Sequence, residues 1–231
     1  MKISSLALVF LLAACGNGDN GNGNGGGGLQ DDGPLLCPDT YVTGRGKIWR
    51  GNNPYKLTER DLPCLDGDGT LSGYYISSVR PSTGETAQSD EEKYLYDSDD
   101  ARVNQVQAYY VITHMANWTI GYFSPSQDYL ATVDVIRSDQ VDLEYNRFEV
   151  ESQQLCYDLN MGMQGLNHEL LNVDVFAHEF GHHLVFSINR QIANAMIHEA
   201  MADYLAAAFT RDSAIEPSAD WSGFDRDVDN D

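Results

Sequence analysis

The chain has 231 residues, with 14 Lys and Arg against 35 Asp and Glu, so its formal charge at pH 7 is −21. This length allows one large domain or two small ones, with a sizeable hydrophobic core. A surface this acidic repels nucleic acid backbones, which argues against a DNA- or RNA-binding protein.

The first 14 residues have the pattern of an export signal. Lys2 gives a positive start, and the stretch from Leu6 to Leu12 is apolar. The run Leu12-Ala13-Ala14-Cys15 resembles a bacterial lipobox, which implies cleavage before Cys15 and a diacylglycerol on its sulfur. An ordinary secretory signal with an incidental cysteine is the alternative. We therefore expect a lipid-anchored protein of the bacterial cell envelope that faces the periplasm or the exterior.

Residues 15–36 are rich in Gly and Asn and predict a flexible linker between the lipid anchor and the domain formed by residues 37–231. The mature chain keeps three further cysteines, Cys37, Cys64 and Cys156. An oxidising compartment permits disulfides. Cys37–Cys64 is the preferred pair, with Cys156 unpaired, but the sequence gives no distances and leaves the pairing open.

Alternating and β-branched segments predict strands on both sides of one long helix. The helix is predicted over 101–120, with Asp99 or Asp100 capping its start and Gly121 its end. His114 lies inside it without a partner at metal-binding spacing, so we expect a packed or surface histidine. The predicted strands are 71–79, 131–136, 146–150 and 155–158. A polar, acidic loop over 81–99 is predicted between the first strand and the helix.

His178 and His182 are four residues apart in a segment with helical periodicity. That spacing places both imidazoles on one helix face, where they can share one metal ion. Glu179 points to the side of the pair, from where it can reach a metal-bound water. This H-E-x-x-H arrangement predicts a zinc site with Glu179 as general base.

A second helix offers the third ligand that a catalytic zinc needs. Glu199 and Asp203 are again four residues apart, so Glu199 can bind the metal while Asp203 accepts the second N–H of a ligand histidine. We expect His183 to point away from the metal, because it lies about 100° around the helix from His182. His198 is expected at the surface, with a position in the cleft as the alternative.

HEFGH followed by HEAMADYLAA resembles the gluzincin metallopeptidases, the thermolysin- and fungalysin-like zinc endopeptidases. The resemblance implies hydrolysis of internal peptide bonds by a zinc-activated water. Zinc would be bound by His178, His182 and Glu199, with Glu179 as general base and Asp203 supporting a ligand.

The resemblance also implies an α+β fold. A twisted, mostly antiparallel sheet would pack on the helices over 101–120 and 173–189, with the helix over 194–209 behind them. In thermolysin-like folds an edge strand just upstream of the metal helix binds the peptide or protein substrate as an additional strand. Residues 146–150 are the equivalent segment, so Asn146 and Phe148 are the predicted substrate-binding residues. An ordinary sheet strand is the alternative.

The chain departs from the family in two places. No tyrosine lies between His183 and Glu199 to stabilise the reaction intermediate, and the chain ends at Asp231, before the helical lobe that family members add. We expect either a fragment or a reduced protein with an open site. If the lobe is really missing, the protein should bind zinc but cleave peptides poorly. A metal-binding surface lipoprotein with weak or no catalysis is therefore the main alternative. The acidic clusters also allow Ca²⁺ as a second cofactor, and with it a calcium-linked interaction module.

Overall fold

The structure is a computed structural model, and it describes residues 36–50, 53–81, 84–123, 133–138, 147–149, 154–158, 173–188, 195–210, 214–215 and 226–227. In chain order its elements are β1 Val42–Arg50, β2 Asn53–Leu65, β3 Ile76–Pro81, β4 Lys93–Tyr94, α1 Arg102–Phe123, β5 Val133–Ser138, β6 Arg147–Glu149, β7 Gln154–Asp158, α2 Val173–Ile188, α3 Ala195–Thr210, β8 Ala214–Ile215 and β9 Arg226–Asp227. Among these described helices, none combines the length and the apolar character needed to cross a bilayer.

The strands form two main sheets and a short pair. One sheet has the order β2-β1-β4, the other β3-β5-β7-β6, and β8 pairs with β9. In the four-stranded sheet β3, β5 and β7 are parallel, and only β6 runs antiparallel to its neighbour. The α+β class holds for the described part of the chain, but the expectation of one mostly antiparallel sheet is wrong. The chain passes through α1 between β3 and β5, and such a helical crossover joins parallel strands.

The predicted strands and the first helix are confirmed with shifted boundaries. The predicted pairing of 146–150 with 155–158 is the antiparallel pair β6–β7. Asp100 caps α1, because its Oδ1 accepts the backbone N–H of Arg102 at 2.9 Å. The helix continues to Phe123, so the predicted end at Gly121 is wrong.

The strand predicted over 71–79 begins only at Ile76, because the residues before it form tight turns. Gly73 donates its N–H to the carbonyl of Ile76, and Tyr74 donates to the carbonyl of Cys64 at 3.0 Å. A Cβ at Gly73 would overlap that same carbonyl oxygen. The close backbone approach therefore requires glycine here and delays the start of the strand.

The chain from Val103 to Thr119 in α1 is buried on all sides. Its amide side chains replace hydrogen bonds to water with hydrogen bonds to the backbone of neighbouring segments. Gln107 accepts the N–H of Trp49 at 3.0 Å, and Gln105 accepts that of Ala87 at 2.9 Å. His114 is buried against the ring of Tyr110, as a packed histidine.

The predicted disulfide Cys37–Cys64 is present, with Cα atoms 5.8 Å apart. It attaches the start of the described domain to the end of β2. Just before it, the N–H of Leu36 donates to the side-chain oxygen of Asn117 in α1 at 2.7 Å. Two independent contacts therefore fix the point at which the chain joins the folded domain. Cys156 lies in β7.

Strand β1 lies so close to α1 that only hydrogen fits at Gly46. A Cβ there would overlap the side chain of Val106 and lie 2.8 Å from Cδ1 of Leu62. Both of these neighbours are fully buried and packed within the core.

Replacing Gly46 with Ala should therefore lower the free energy of unfolding by about 1–3 kcal/mol through overpacking. Urea unfolding followed by circular dichroism measures the change. Gly121→Ala is the matched control, because a Cβ there meets no atom within 4 Å. That substitution should raise the free energy of unfolding by up to about 1 kcal/mol through helix propensity. Equal effects of the two substitutions would contradict the close approach of β1 to α1.

Candidate metal centre

Helices α2 and α3 pack as an antiparallel pair, within one residue of their predicted bounds. Successive residues along α2 contact residues of α3 in reverse order. His178 contacts Asp203, Gly181 lies against Ala202, and His182 contacts His198. This pairing turns the predicted ligand faces of both helices toward each other.

The two helices are in backbone contact at Gly181. A Cβ on this glycine would lie 3.0 Å from the Cα and 3.1 Å from the carbonyl oxygen of Ala202. The sequence left open whether Gly181 serves close packing or substrate approach. The structure shows close packing, with a small residue on each side of the contact.

Three predicted ligands converge across this pair of helices. Nε2 of His178 lies 3.3 Å from Oε2 of Glu199, and Nε2 of His182 lies 3.5 Å from Oε1 of the same carboxylate. The two imidazole rings are nearly perpendicular, with centroids 4.6 Å apart. One ligand atom from each residue falls within 4.8 Å of the other two, so this group can hold a metal ion.

The spacing fits a small tetrahedral ion. Ligand atoms at roughly 2.0–2.1 Å from a tetrahedral zinc lie about 3.3 Å from one another. The two nitrogen–oxygen distances in the group, 3.3 and 3.5 Å, are close to that value. The donor set of two imidazoles and one carboxylate is also one that zinc accepts.

The group is buried on the α2 side and open on the α3 side. The side chains of His178 and His182 are 12% and 11% exposed, whereas that of Glu199 is 47% exposed. Glu179 is buried beside them. A bound ion would therefore be enclosed by α2 and accessible from solvent past Glu199.

Asp203 lies where it can orient one ligand. Its Oδ1 is 2.7 Å from Nδ1 of His178, on the opposite side of the ring from Glu199. A carboxylate there favours a proton on Nδ1 and leaves the lone pair of Nε2 for a metal.

His198 was expected at the surface, and the structure instead gives the alternative, a position beside the candidate site. Its Nδ1 lies 2.7 Å from Nδ1 of His182, and the two rings stack at 28° with centroids 4.9 Å apart. His198 and Ala202 are one turn apart and share a face of α3, but which face meets α2 follows only from the packing of the two helices. As expected, His183 turns away from the group and is buried beside Phe180.

The predicted substrate strand is described in part. Asn146 lies outside the described residues, whereas Phe148 is the middle residue of β6. Among the described strands of its sheet, β6 lies at an edge, and it is also in contact with α2. Peptide binding at this strand stays a prediction.

The ligand histidines have opposite electrostatic environments in the metal-free protein. Burial lowers the pKa of His178, but the carboxylates of Asp203 and Glu199 outweigh it and raise this pKa from 6.5 to about 9. Burial and the charge on His178 lower the pKa of His182 from 6.5 to about 4.

Neither a scan against protein-family models nor a comparison with curated proteins found a match to this chain. The geometry of the group is therefore the basis for assigning a function.

The metal-free protein should lose stability on both sides of pH 6.5. The raised pKa of His178 contributes stability that is complete below pH 6.5 and is lost as the pH rises through 9. The lowered pKa of His182 contributes stability that is present above pH 6.5 and is lost as the pH falls toward 4. Each contribution is at most about 3 kcal/mol. Urea unfolding in a chelator between pH 4 and 10 measures them.

Asp203→Asn isolates the contribution of His178. The variant should be less stable than the parent near pH 6.5, with the two curves converging above pH 9, because His178 is then neutral in both proteins. Asp97→Asn, at an exposed ion pair with Lys47, serves as the control and should change stability by less than about 1 kcal/mol. A constant difference between Asp203→Asn and the parent across this range would contradict the assignment.

Replacing Gly181 with Ala should weaken metal binding more than it weakens folding. The added methyl pushes on the backbone of Ala202, and the helices must separate by a few tenths of an ångström. Better helix propensity offsets part of this cost, by up to about 1 kcal/mol. Competition with a chromophoric zinc chelator measures affinity, with Gly121→Ala again as the control. Unchanged affinity in Gly181→Ala would show that the crossing does not set the ligand spacing.

Proposed function

We propose that this protein is a zinc-dependent endopeptidase of the gluzincin type. The observation that carries the proposal is the convergence of two imidazole nitrogens and one carboxylate from α2 and α3. Their separations suit one tetrahedral ion. The H-E-x-x-H spacing on α2 supplies an acidic residue next to that ion.

The donor set favours zinc over calcium at this group. Calcium takes six to eight oxygen ligands, whereas this group offers two nitrogens and a single carboxylate. When bound, zinc lowers the pKa of a coordinated water and polarises a peptide carbonyl. A separate role for Ca²⁺ in the acidic clusters stays a prediction.

Each residue of the centre has a separate task. His178, His182 and Glu199 bind the metal, and Asp203 orients His178. Glu179 is buried beside His178 and close enough for its charge to raise the pKa of that histidine. In the proposed reaction Glu179 takes a proton from the attacking water and passes it to the leaving amine.

The substrate is a peptide or protein segment in extended conformation. Strand β6 is an edge strand in the described sheet and is in contact with α2, so a peptide added along it would run beside the metal helix. Asn146 and Phe148 would contact that peptide. The enzyme would act at the cell envelope, attached to a membrane by lipid on Cys15 and by the glycine-rich linker.

A metal-binding lipoprotein with weak or no catalysis is the second candidate. It is favoured by the absence of a tyrosine in the sequence between His183 and Glu199, where the family supplies a donor to the reaction intermediate. Such a donor is worth about 100- to 1000-fold in rate. The two candidates share the metal site and differ in hydrolysis.

Replacing Glu179 with Gln distinguishes the peptidase from the non-catalytic metal-binding lipoprotein. The variant should bind one zinc ion per chain as the parent does, and casein cleavage should fall about 100- to 10,000-fold because the proton acceptor is lost. A chelator should abolish cleavage by the parent, and added zinc should restore it.

Glu91→Gln is the matched control, because Glu91 is an exposed glutamate paired with Lys93 on the surface. It should leave both zinc binding and cleavage unchanged. Full cleavage by Glu179→Gln would contradict the role of Glu179. A zinc-loaded parent that never cleaves casein would favour the non-catalytic candidate.

A further inference from the structure

His198 is not one of the metal ligands, yet it contacts one of them through polar atoms. Its ring nitrogen Nδ1 lies 2.7 Å from Nδ1 of His182. At that distance one nitrogen must donate a proton and the other must accept it. The contact therefore couples the tautomers of the two rings.

The orientation of His182 determines which nitrogen donates. Its Nε2 lies 3.5 Å from Oε1 of Glu199, whereas its Nδ1 lies against His198, so Nε2 is the nitrogen that faces the proposed metal position. A metal-binding nitrogen needs its lone pair, so the proton of neutral His182 must be on Nδ1. His198 then accepts at Nδ1 and carries its own proton on Nε2. In the opposite arrangement His182 is protonated on Nε2 and cannot bind the metal.

We propose that His198 is a positioning residue that accepts the Nδ1 proton of His182 and so presents Nε2 of His182 to the metal ion. The inference rests on the metal site of the proposed function and adds a residue to it. Each ligand histidine then has its own partner on α3. Asp203 contacts Nδ1 of His178, and His198 contacts Nδ1 of His182.

The two partners differ in charge, and this difference has a consequence for the site. A carboxylate beside His178 adds negative charge, whereas a neutral imidazole accepts a hydrogen bond without adding any. Glu179, Glu199 and Asp203 already bring three carboxylates to the centre. His198 thus fixes the second ligand while leaving the charge of the site unchanged.

Ring stacking is the alternative explanation of the contact, because the two rings lie at 28° with centroids 4.9 Å apart. Two substitutions distinguish stacking from acceptance of a hydrogen bond. His198→Phe keeps an aromatic ring but has no acceptor. His198→Asn loses the ring but keeps an oxygen at about the distance of Nδ1 from the backbone.

The experiment measures metal affinity in the full-length protein by chelator competition with Zn²⁺, and coordination by the visible absorption of bound Co²⁺. His198→Phe should weaken zinc binding about 10- to 100-fold, as loss of such a supporting hydrogen bond does elsewhere. His198→Asn should stay within about threefold of the parent and keep its cobalt spectrum. The reverse order, with Phe near the parent and Asn weak, would overturn the proposal in favour of stacking.

A second measurement needs no variant. Nitrogen-15 chemical shifts of the histidine rings in the zinc-loaded parent should show His198 protonated on Nε2 and unprotonated on Nδ1. A proton on Nδ1 of His198 would overturn the proposal even if a variant fails to fold.

The outcomes separate this inference from the proposed function. Equal zinc affinities of the parent and both variants, with chelator-sensitive cleavage of casein, would overturn the role of His198 alone. The expected order of affinities without any cleavage by the parent would overturn the peptidase proposal and leave the role of His198 in place.

Discussion

The close packing of α2 on α3 at Gly181 is the constraint on which the candidate metal centre depends. Each helix alone supplies an incomplete set of ligands, two imidazoles from α2 and one carboxylate from α3. Contact at backbone distance, against Ala202, holds the two helices close enough for the histidine nitrogens to lie 3.3 and 3.5 Å from the carboxylate of Glu199. The ligand spacing is thus a property of helix packing.

The pattern of contacts around the histidines follows from the antiparallel direction of the pair. His178 precedes Gly181 on α2 and meets the middle of α3, whereas His182 follows Gly181 and meets the first turn of α3. Glu199 lies between these two levels and can therefore reach both imidazoles. The same geometry gives each ligand a separate neighbour on its far side, Asp203 for one and His198 for the other. Binding atoms and supporting atoms thus alternate across a single helix contact.

The sequence predicted what depends on local spacing. Residues four apart on a helix share a face whatever surrounds them. The position of His178 and His182 on one face could therefore be predicted from the sequence alone. The contact of His198 depends on how α3 is rotated against α2, across a sequence separation of 16 residues, and no local pattern encodes that rotation. The prediction of strand direction was wrong for a related reason. Alternation identifies a strand and its two faces but not the direction of its neighbour, so the parallel pairing of β3, β5 and β7 was missed. Gly121 was predicted as the helix end because glycine is common just after the last helical residue, but Tyr122 and Phe123 continue the helix.

The attachment at the start of the domain has a mechanical consequence. A pull exerted on the N-terminal segment would first meet Leu36 and Cys37. From there the load would divide between α1, through Asn117, and the end of β2, through the bond to Cys64. Neither of these routes begins in α2 or α3. Tension on the leading segment would therefore be borne by β2 and the long helix α1, before it could strain the pair of helices that carries the candidate metal centre.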